Sequence, residues 1–289
     1  MLPMDHAPPP SSAPARVGCV SYLNAKPLIH DLQARHPGSL LLHLDVPAKL
    51  LEGLESGDLS LALCPVVDFF RSRVPLQIWP VGGIACEGPT LTVRLFSRVP
   101  IEQITAVHAD TDSHTSVALL RVLLDAVYGL RPGLIHFDTR SRTADGQPLD
   151  PARPPEAMLL IGDKVVTDGP PITVYPHQLD LGEAWHELTG RPFVFATWLA
   201  PRGIDLGPLP QLLATQRDEN LGRIDELVET YAATHGWPAD LAQQYLGSIL
   251  RYRIGPAEIE AIREFARRAA ALGVIDSPQF ENLPLPTPT

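Results

Sequence analysis

The sequence predicts an α/β protein of two lobes, with C-terminal helices packed on the first lobe. Three observations carry this expectation. A length of 289 residues suits two modest lobes better than one core. Short apolar runs alternate with helical patterns before residue 75, which implies a mainly parallel sheet. Two long β-rich stretches, 76–98 and 193–199, stand apart from that alternation and read as crossings between lobes. The expected boundaries are 16–93 and 200–289 for a discontinuous first lobe and 94–199 for the second, with 1–15 as a disordered tail.

Along the chain, Arg16–Tyr22 reads as a strand, and Pro27–Gln33 as the first turns of a helix with Asn24 near its N-cap. Leu40–Leu44 is a second strand. Pro47–Ser56 carries Leu50, Leu51 and Leu54 at helical spacing and stops at Gly57. Leu59–Leu63 is a buried-type strand leading through Cys64 and Pro65 into a short helix. Asp110–Tyr128 opens on capping residues and continues as a helix with Val117, Leu120, Leu124 and Val127 on one stripe. Thr139–Pro155 is a polar, Pro-rich loop, and Ala157–Ile161 a strand closing on Gly162-Asp163. Residues 209–272 read as helices. The last of these begins at Pro256 and carries Ile259, Ile262, Phe265 and Ala269 on its apolar face. The terminal LPLPTPT is expected to be disordered.

Composition narrows the function classes. Hydrophobic content of 45% with 19% charged residues is globular, and 23 Lys+Arg against 33 Asp+Glu give a net charge of −10 without a basic run. A nucleic-acid partner is therefore not expected. No stretch reaches a membrane span. The first residues carry Pro and Ser where a secretory signal needs an apolar core, so a cytoplasmic location is expected. Cys19, Cys64 and Cys86 match no zinc or redox spacing and read as buried free thiols. His30 and His36, and likewise His108 and His114, are six residues apart, outside the three to five of paired helical ligands, so no metal is expected. Nucleotide-binding glycine loops and a nucleophile elbow are missing from the sequence.

In open α/β sheets, ligands sit beyond the carboxyl ends of strands, where helix N–H groups point outward. Four segments end there: Ser21–Asn24, Cys64–Val66, Ser113–Ser116 and Ile161–Asp163. They make Ser21, Tyr22, Cys64, Pro65, Ser113, His114, Thr115, Ser116, Gly162 and Asp163 candidates for binding a small anion. Each has a structural reading beside the functional one. Ser113–Ser116 either caps its helix or grips a carboxylate or phosphate. Asn24 is either an N-cap or a hydrogen-bonding partner of a substrate. Tyr22 belongs to the core or the site, and Asp163 is a turn former or an acid or base. Asp180-Leu181-Gly182-Glu183 and Trp185 read as the structural start of a helix, and the aromatics of FVFATW as core and hinge packing.

The segments VGCVSYLNAKPL, CEGPTLTVRLFSR, DTDSHTSVALLRVLL, LLIGDKVV and LDLGEAWHELTGRPFVFATW run in order from Val17 to Trp198. Together they make the chain similar to the menaquinone-biosynthesis family of the futalosine pathway, on its chorismate dehydratase branch. The resemblance implies a type II periplasmic-binding-protein-like fold used for catalysis in the cytoplasm, with no cofactor. It implies a hydro-lyase reaction in which chorismate becomes 3-[(1-carboxyvinyl)oxy]benzoate and water. Asn24 is then the leading catalytic residue, and the substrate's own enolpyruvyl carboxylate the proton acceptor. Ser113, Thr115 and Ser116 would grip one carboxylate. Thr92, where family members are expected to carry Ser, would grip the other. Three alternatives remain: the sister-branch 1,4-dihydroxy-6-naphthoate synthase, a non-catalytic small-anion-binding protein, and the sensing domain of a regulator. The Y-L-N and D-L-G-x-x-W segments favour the dehydratase branch.

Overall fold

A computed structural model describes residues 14–110, 114–138, 142–143, 154–276 and 283. The expected N-terminal tail, most of the Pro-rich loop and the terminal LPLPTPT lie outside these residues, apart from Pro14, Ala15, Arg142, Thr143, Pro154, Pro155 and Leu283.

The chain begins with β1 (Ala15–Cys19), a 3-10 turn (Leu23–Ala25), α1 (Lys26–Ile29), α2 (Leu32–Arg35), β2 (Leu40–Leu44) and α3 (Pro47–Ser56). β3 (Leu61–Pro65), α4 (Val66–Arg71) and the long β4 (Leu76–Cys86) follow. The expected helix over Pro27–Gln33 is broken, because Asp31 adopts the left-handed conformation at φ +58° and separates α1 from α2. α3 conforms to expectation, with Pro47 in its first turn and Gly57 at φ +80° closing it.

The second part comprises β5 (Val93–Ser97), β6 (Ala106–Asp110), α5 (His114–Tyr128), β7 (Gly133–Asp138), β8 (Arg142–Thr143), β9 (Ala157–Ile161), α6 (Lys164–Thr167), β10 (His177–Asp180) and α7 (Leu181–Thr189). The chain then returns as β11 (Phe193–Pro201). It ends in α8 (Leu209–Leu221), α9 (Ile224–Tyr231), α10 (Ala239–Gln244), a π-helical turn (Tyr245–Ile249), β12 (Leu250–Arg251) and α11 (Pro256–Ala271). α11 starts at Gly255-Pro256, where the Gly255 N–H donates to Glu258 Oε2 at 2.9 Å, and it buries the expected Ile259, Ile262, Phe265 and Ala269.

Two six-stranded sheets result, in the orders β12-β4-β11-β3-β1-β2 and β10-β5-β9-β6-β7-β8. Each has a parallel trio, β3-β1-β2 in one and β9-β6-β7 in the other. Beside each trio lies one antiparallel strand, β11 or β5, that arrives from the other sheet. The sheets are therefore mixed rather than mainly parallel. Phe193–Leu199, read from sequence as a crossing, belongs wholly to the first sheet, paired with β3 on one edge and β4 on the other. Its unbroken apolar character is that of a central strand buried on both faces. The actual passages are Glu87–Thr92 outward and α7 with Gly190–Pro192 on return.

The first passage is held by one carboxylate. Asp180 is buried and accepts the N–H groups of Thr90 (2.9 Å) and Leu91 (2.8 Å), with Leu91 at φ +67°. It also caps α7, accepting from Gly182 N–H (3.0 Å) and Glu183 N–H (3.2 Å). Trp185, fully buried on α7, donates Nε1–H to Pro192 O at 2.9 Å and meets Phe193 and Phe265 edge-on. The structural reading of Asp180–Trp185 thus describes their local role. α5 packs on α7 in its own half and on α4 and α11 in the other, so it ties the two halves together. Among the described residues no helix is long and apolar enough to cross a membrane.

Candidate functional site

Where the ends of β1, β3 and β9 meet the starts of the 3-10 turn, α4 and α5, a cavity opens. Its polar lining comprises Tyr22, Asn24, Thr90, Thr92, His114, Thr115, Ser116 and Tyr245; its apolar floor includes Leu63, Ile84 and Phe195. Among the described residues, no Asp, Glu, Lys or Arg lines it.

Asn24 sits inside the 3-10 turn and caps no helix: the N-caps here are Tyr22 and Ala25, neither with a side-chain cap bond. Its side chain instead interacts with the Tyr245 hydroxyl, while its Oδ1 is buried and has no hydrogen-bond partner among the described residues. A buried carbonyl oxygen left unpaired costs about 1–3 kcal/mol, so it is poised to accept from a ligand. Thr92 Oγ1 stands 2.6 Å from Tyr245 Oη, and both residues are buried. Burial raises the Tyr245 phenol above its ordinary pKa, so it stays a neutral donor. Its ring stacks on Trp237, centroids 4.7 Å apart at 18°.

The first turn of α5 faces the cavity with the N–H groups that no helix bond can use. Thr115 Oγ1 accepts the Val67 N–H at 3.2 Å. It thereby caps α4, whose own N-cap, Pro65, has no side-chain cap bond. His114 Nδ1 lies 2.8 Å from Oδ1 of Asp68, a carboxylate 1% exposed whose Oδ2 has no hydrogen-bond partner among the described residues. His114 brings an imidazole to the cavity, and its orienting partner comes from the other half of the molecule.

Of the residues singled out from sequence, Asn24, Tyr22, Pro65, Thr92, His114, Thr115, Ser116 and Gly162 line this one cavity. Ser113 lies outside the described residues. Ser21 is exposed and not in the lining. Cys64 is fully buried between β1 and β11, its thiol pushed well above the ordinary value by burial, which makes it core rather than ligand contact. Cys19 and Cys86 are likewise buried free thiols, each pushed up to about 12. Asp163 turns away from the cavity: Oδ1 accepts Trp237 Nε1–H at 2.9 Å, and Oδ2 faces His235 Nδ1 at 2.8 Å and Leu23 N–H at 3.4 Å. Sequence reasoning missed Tyr245, Thr90 and Asp68. The Tyr245–Thr92 bond spans 153 positions, and only the π-helical turn on which Tyr245 sits marks it locally.

Two sheets of repeated strand order with a cavity at their junction define a periplasmic-binding-protein-like fold. Solved structures agree. The alkanesulfonate-binding protein SsuA of Xanthomonas axonopodis pv. citri, bound to MOPS, superposes with a TM-score of 0.65 at 17% identity, over 94% of this chain and 98% of that one. A Candida albicans protein described as having the generic periplasmic binding protein structural fold gives 0.64 at 10% identity, over 94% and 96%. Residues 15–271 match the family model for menaquinone biosynthesis, and the chain belongs to that family. A relative in Thermus thermophilus, named chorismate dehydratase, is 32% identical over 283 residues, covering 92% of this chain and 98% of the relative.

Proposed function

We propose that this protein is a chorismate dehydratase, a hydro-lyase of menaquinone biosynthesis acting in the cytoplasm. The observation that carries the reading is the near full-length match to the Thermus enzyme, joined to a cavity lined by hydroxyls, an amide and a helix start. The two sheet-centred halves act as lobes around the substrate.

In the reaction a proton leaves the ring carbon that bears the enolpyruvyl ether. Its electron pair forms the new ring double bond, the neighbouring C–O bond breaks, and aromatisation drives the loss of water. Chorismate's two carboxylates only accept hydrogen bonds, so its ring hydroxyl is the one group able to donate to Asn24 Oδ1. Asn24 therefore orients the leaving hydroxyl. One carboxylate rests on the first turn of α5, with Thr115 and Ser116, and the other on the Thr92–Tyr245 hydroxyl pair. Among the described residues no Asp, Glu or Lys lines the cavity, and His114 is engaged through Nδ1 with Asp68; the substrate's enolpyruvyl carboxylate takes the proton and passes it to the departing hydroxide, which leaves as water. Positioning and preorganised dipoles supply the catalysis.

Purified protein incubated with chorismate should yield a product lighter by one water with benzoate-type ultraviolet absorbance. Chorismate recovered unchanged, under conditions where it is stable, would overturn the reading; dihydroxynaphthoate made from cyclic dehypoxanthinyl futalosine would move the protein to the sister branch. The role of His114 is tested through its partner. Asp68→Asn keeps the shape and an acceptor for Nδ1 but removes the carboxylate that holds the ring at 2.8 Å beside the substrate. KM for chorismate should rise about 10-fold with kcat changed less than about threefold, the loss of one charge-assisted contact made equally in ground and transition states. An unchanged KM in initial-rate measurements would free His114 of this role.

A further inference from the structure

We infer that Asp163 is a positioning residue, which seats Asn24 and Tyr245 from the opposite half of the molecule when the two sheets come together. The inference rests on the dehydratase reading for what Asn24 does, and on geometry alone for what Asp163 holds.

Asp163 follows β9 of the second sheet, after Gly162, whose φ of +65° turns the backbone at the strand end. Its carboxylate meets three donors that all come from outside that sheet's half. Trp237 Nε1–H and His235 Nδ1 belong to the C-terminal helices, and Leu23 N–H to the turn after β1. The carboxylate is thus occupied by protein donors and is no proton acceptor for the reaction. Two routes lead from it to the site. Through the Leu23 amide it anchors the residue before Asn24, inside the 3-10 turn that aims the amide into the cavity. Through the Trp237 indole it fixes the plate on which Tyr245 stacks, and Tyr245 Oη bonds Thr92 Oγ1 and interacts with the Asn24 side chain. Lys26, half-buried one turn on, interacts with the same carboxylate charge. Separating the halves takes the acceptor away from Leu23, His235 and Trp237 together, so the geometry of Asn24 is complete only in the closed molecule.

The test is a double-mutant cycle on the full chain with Asn24→Ala and Asp163→Asn, in which the introduced amide keeps one acceptor but presents N–H to N–H on its other side. Asp163→Asn alone should lower kcat about 10- to 30-fold with KM within about twofold. In the Asn24→Ala background the same change should cost less than about threefold, because there is no longer an amide to position. Equal costs in both backgrounds would make Asp163 a general structural residue and overturn the inference. A second measurement does not depend on turnover. Amide hydrogen exchange in Leu23–Ala25 should speed up about 10-fold or more in Asp163→Asn while α3 exchanges as before. Unchanged exchange there overturns the inference even if chorismate proves not to be the substrate.

Discussion

Asn24→Ala lowers kcat for chorismate dehydration by about 100-fold, the cost of letting a reacting group slip out of its productive geometry. The size follows from where the amide is. It is half-buried, caps no helix, has an Oδ1 unpaired among the described residues and interacts with the Tyr245 hydroxyl, so the fold draws little from it that the substrate does not. Stability should change by less than about 1 kcal/mol, since the oxygen left unsatisfied in the free protein disappears with the side chain. The check is kcat from product absorbance beside the thermal midpoint of the same preparation. A kcat that falls only as far as the folded fraction falls would make Asn24 a structural residue.

Gly182→Ala acts on stability instead. A Cβ at this position would stand 2.6 Å from Cys86 Sγ and 2.7 Å from the Gly88 carbonyl oxygen, one neighbour on β4 and the other in the outward passage. Neither is the free end of a flexible chain, so α7 has to lift from the passage that Asp180 holds. Overpacking of this kind costs about 3 kcal/mol, and the melting temperature should drop by roughly 6–12 °C. Differential scanning calorimetry of the two proteins measures it. A midpoint within about 1 °C of the parent would show that α7 moves freely against the passage.

Legibility in the sequence followed the range of the interactions. Strand, turn and helix in Ala15–Ala25 and Leu61–Arg71, and the Gly255-Pro256 start of α11, are written in neighbouring residues, and they carry Asn24, Pro65 and the packing behind them. The strand ends that point at the cavity follow from the same alternation, which is why most of the residues named from sequence converge on one pocket. The break at Asp31 escaped because a left-handed Asp leaves the apolar spacing around it undisturbed. Phe193–Leu199 was misplaced because a central strand and a long crossing share an apolar β pattern, and only its pairing with β3 and β4 separates them. Tyr245, Trp237 and Asp68 stayed hidden because each acquires its role from a partner across the fold: Thr92 at 153 positions, Asp163 at 74 and His114 at 46. Resemblance to the menaquinone-biosynthesis family added chorismate, which no spacing of residues contains.

The polar bonds joining the halves also set a toll on traffic. Parting the sheets breaks the His114–Asp68 and Thr115–Val67 contacts on one side and those of Asp163 with Trp237, His235 and Leu23 on the other. At about 1 kcal/mol net for each bond, the open form is disfavoured by roughly 5 kcal/mol, a factor of several thousand. Entry of substrate and escape of product are slowed in that proportion when opening precedes them. Because the product is aromatic and the chemistry runs one way, such a door holds back throughput without returning product to chorismate. The shape of the site around the reacting ring and the pace of the whole cycle are then set by the same few contacts.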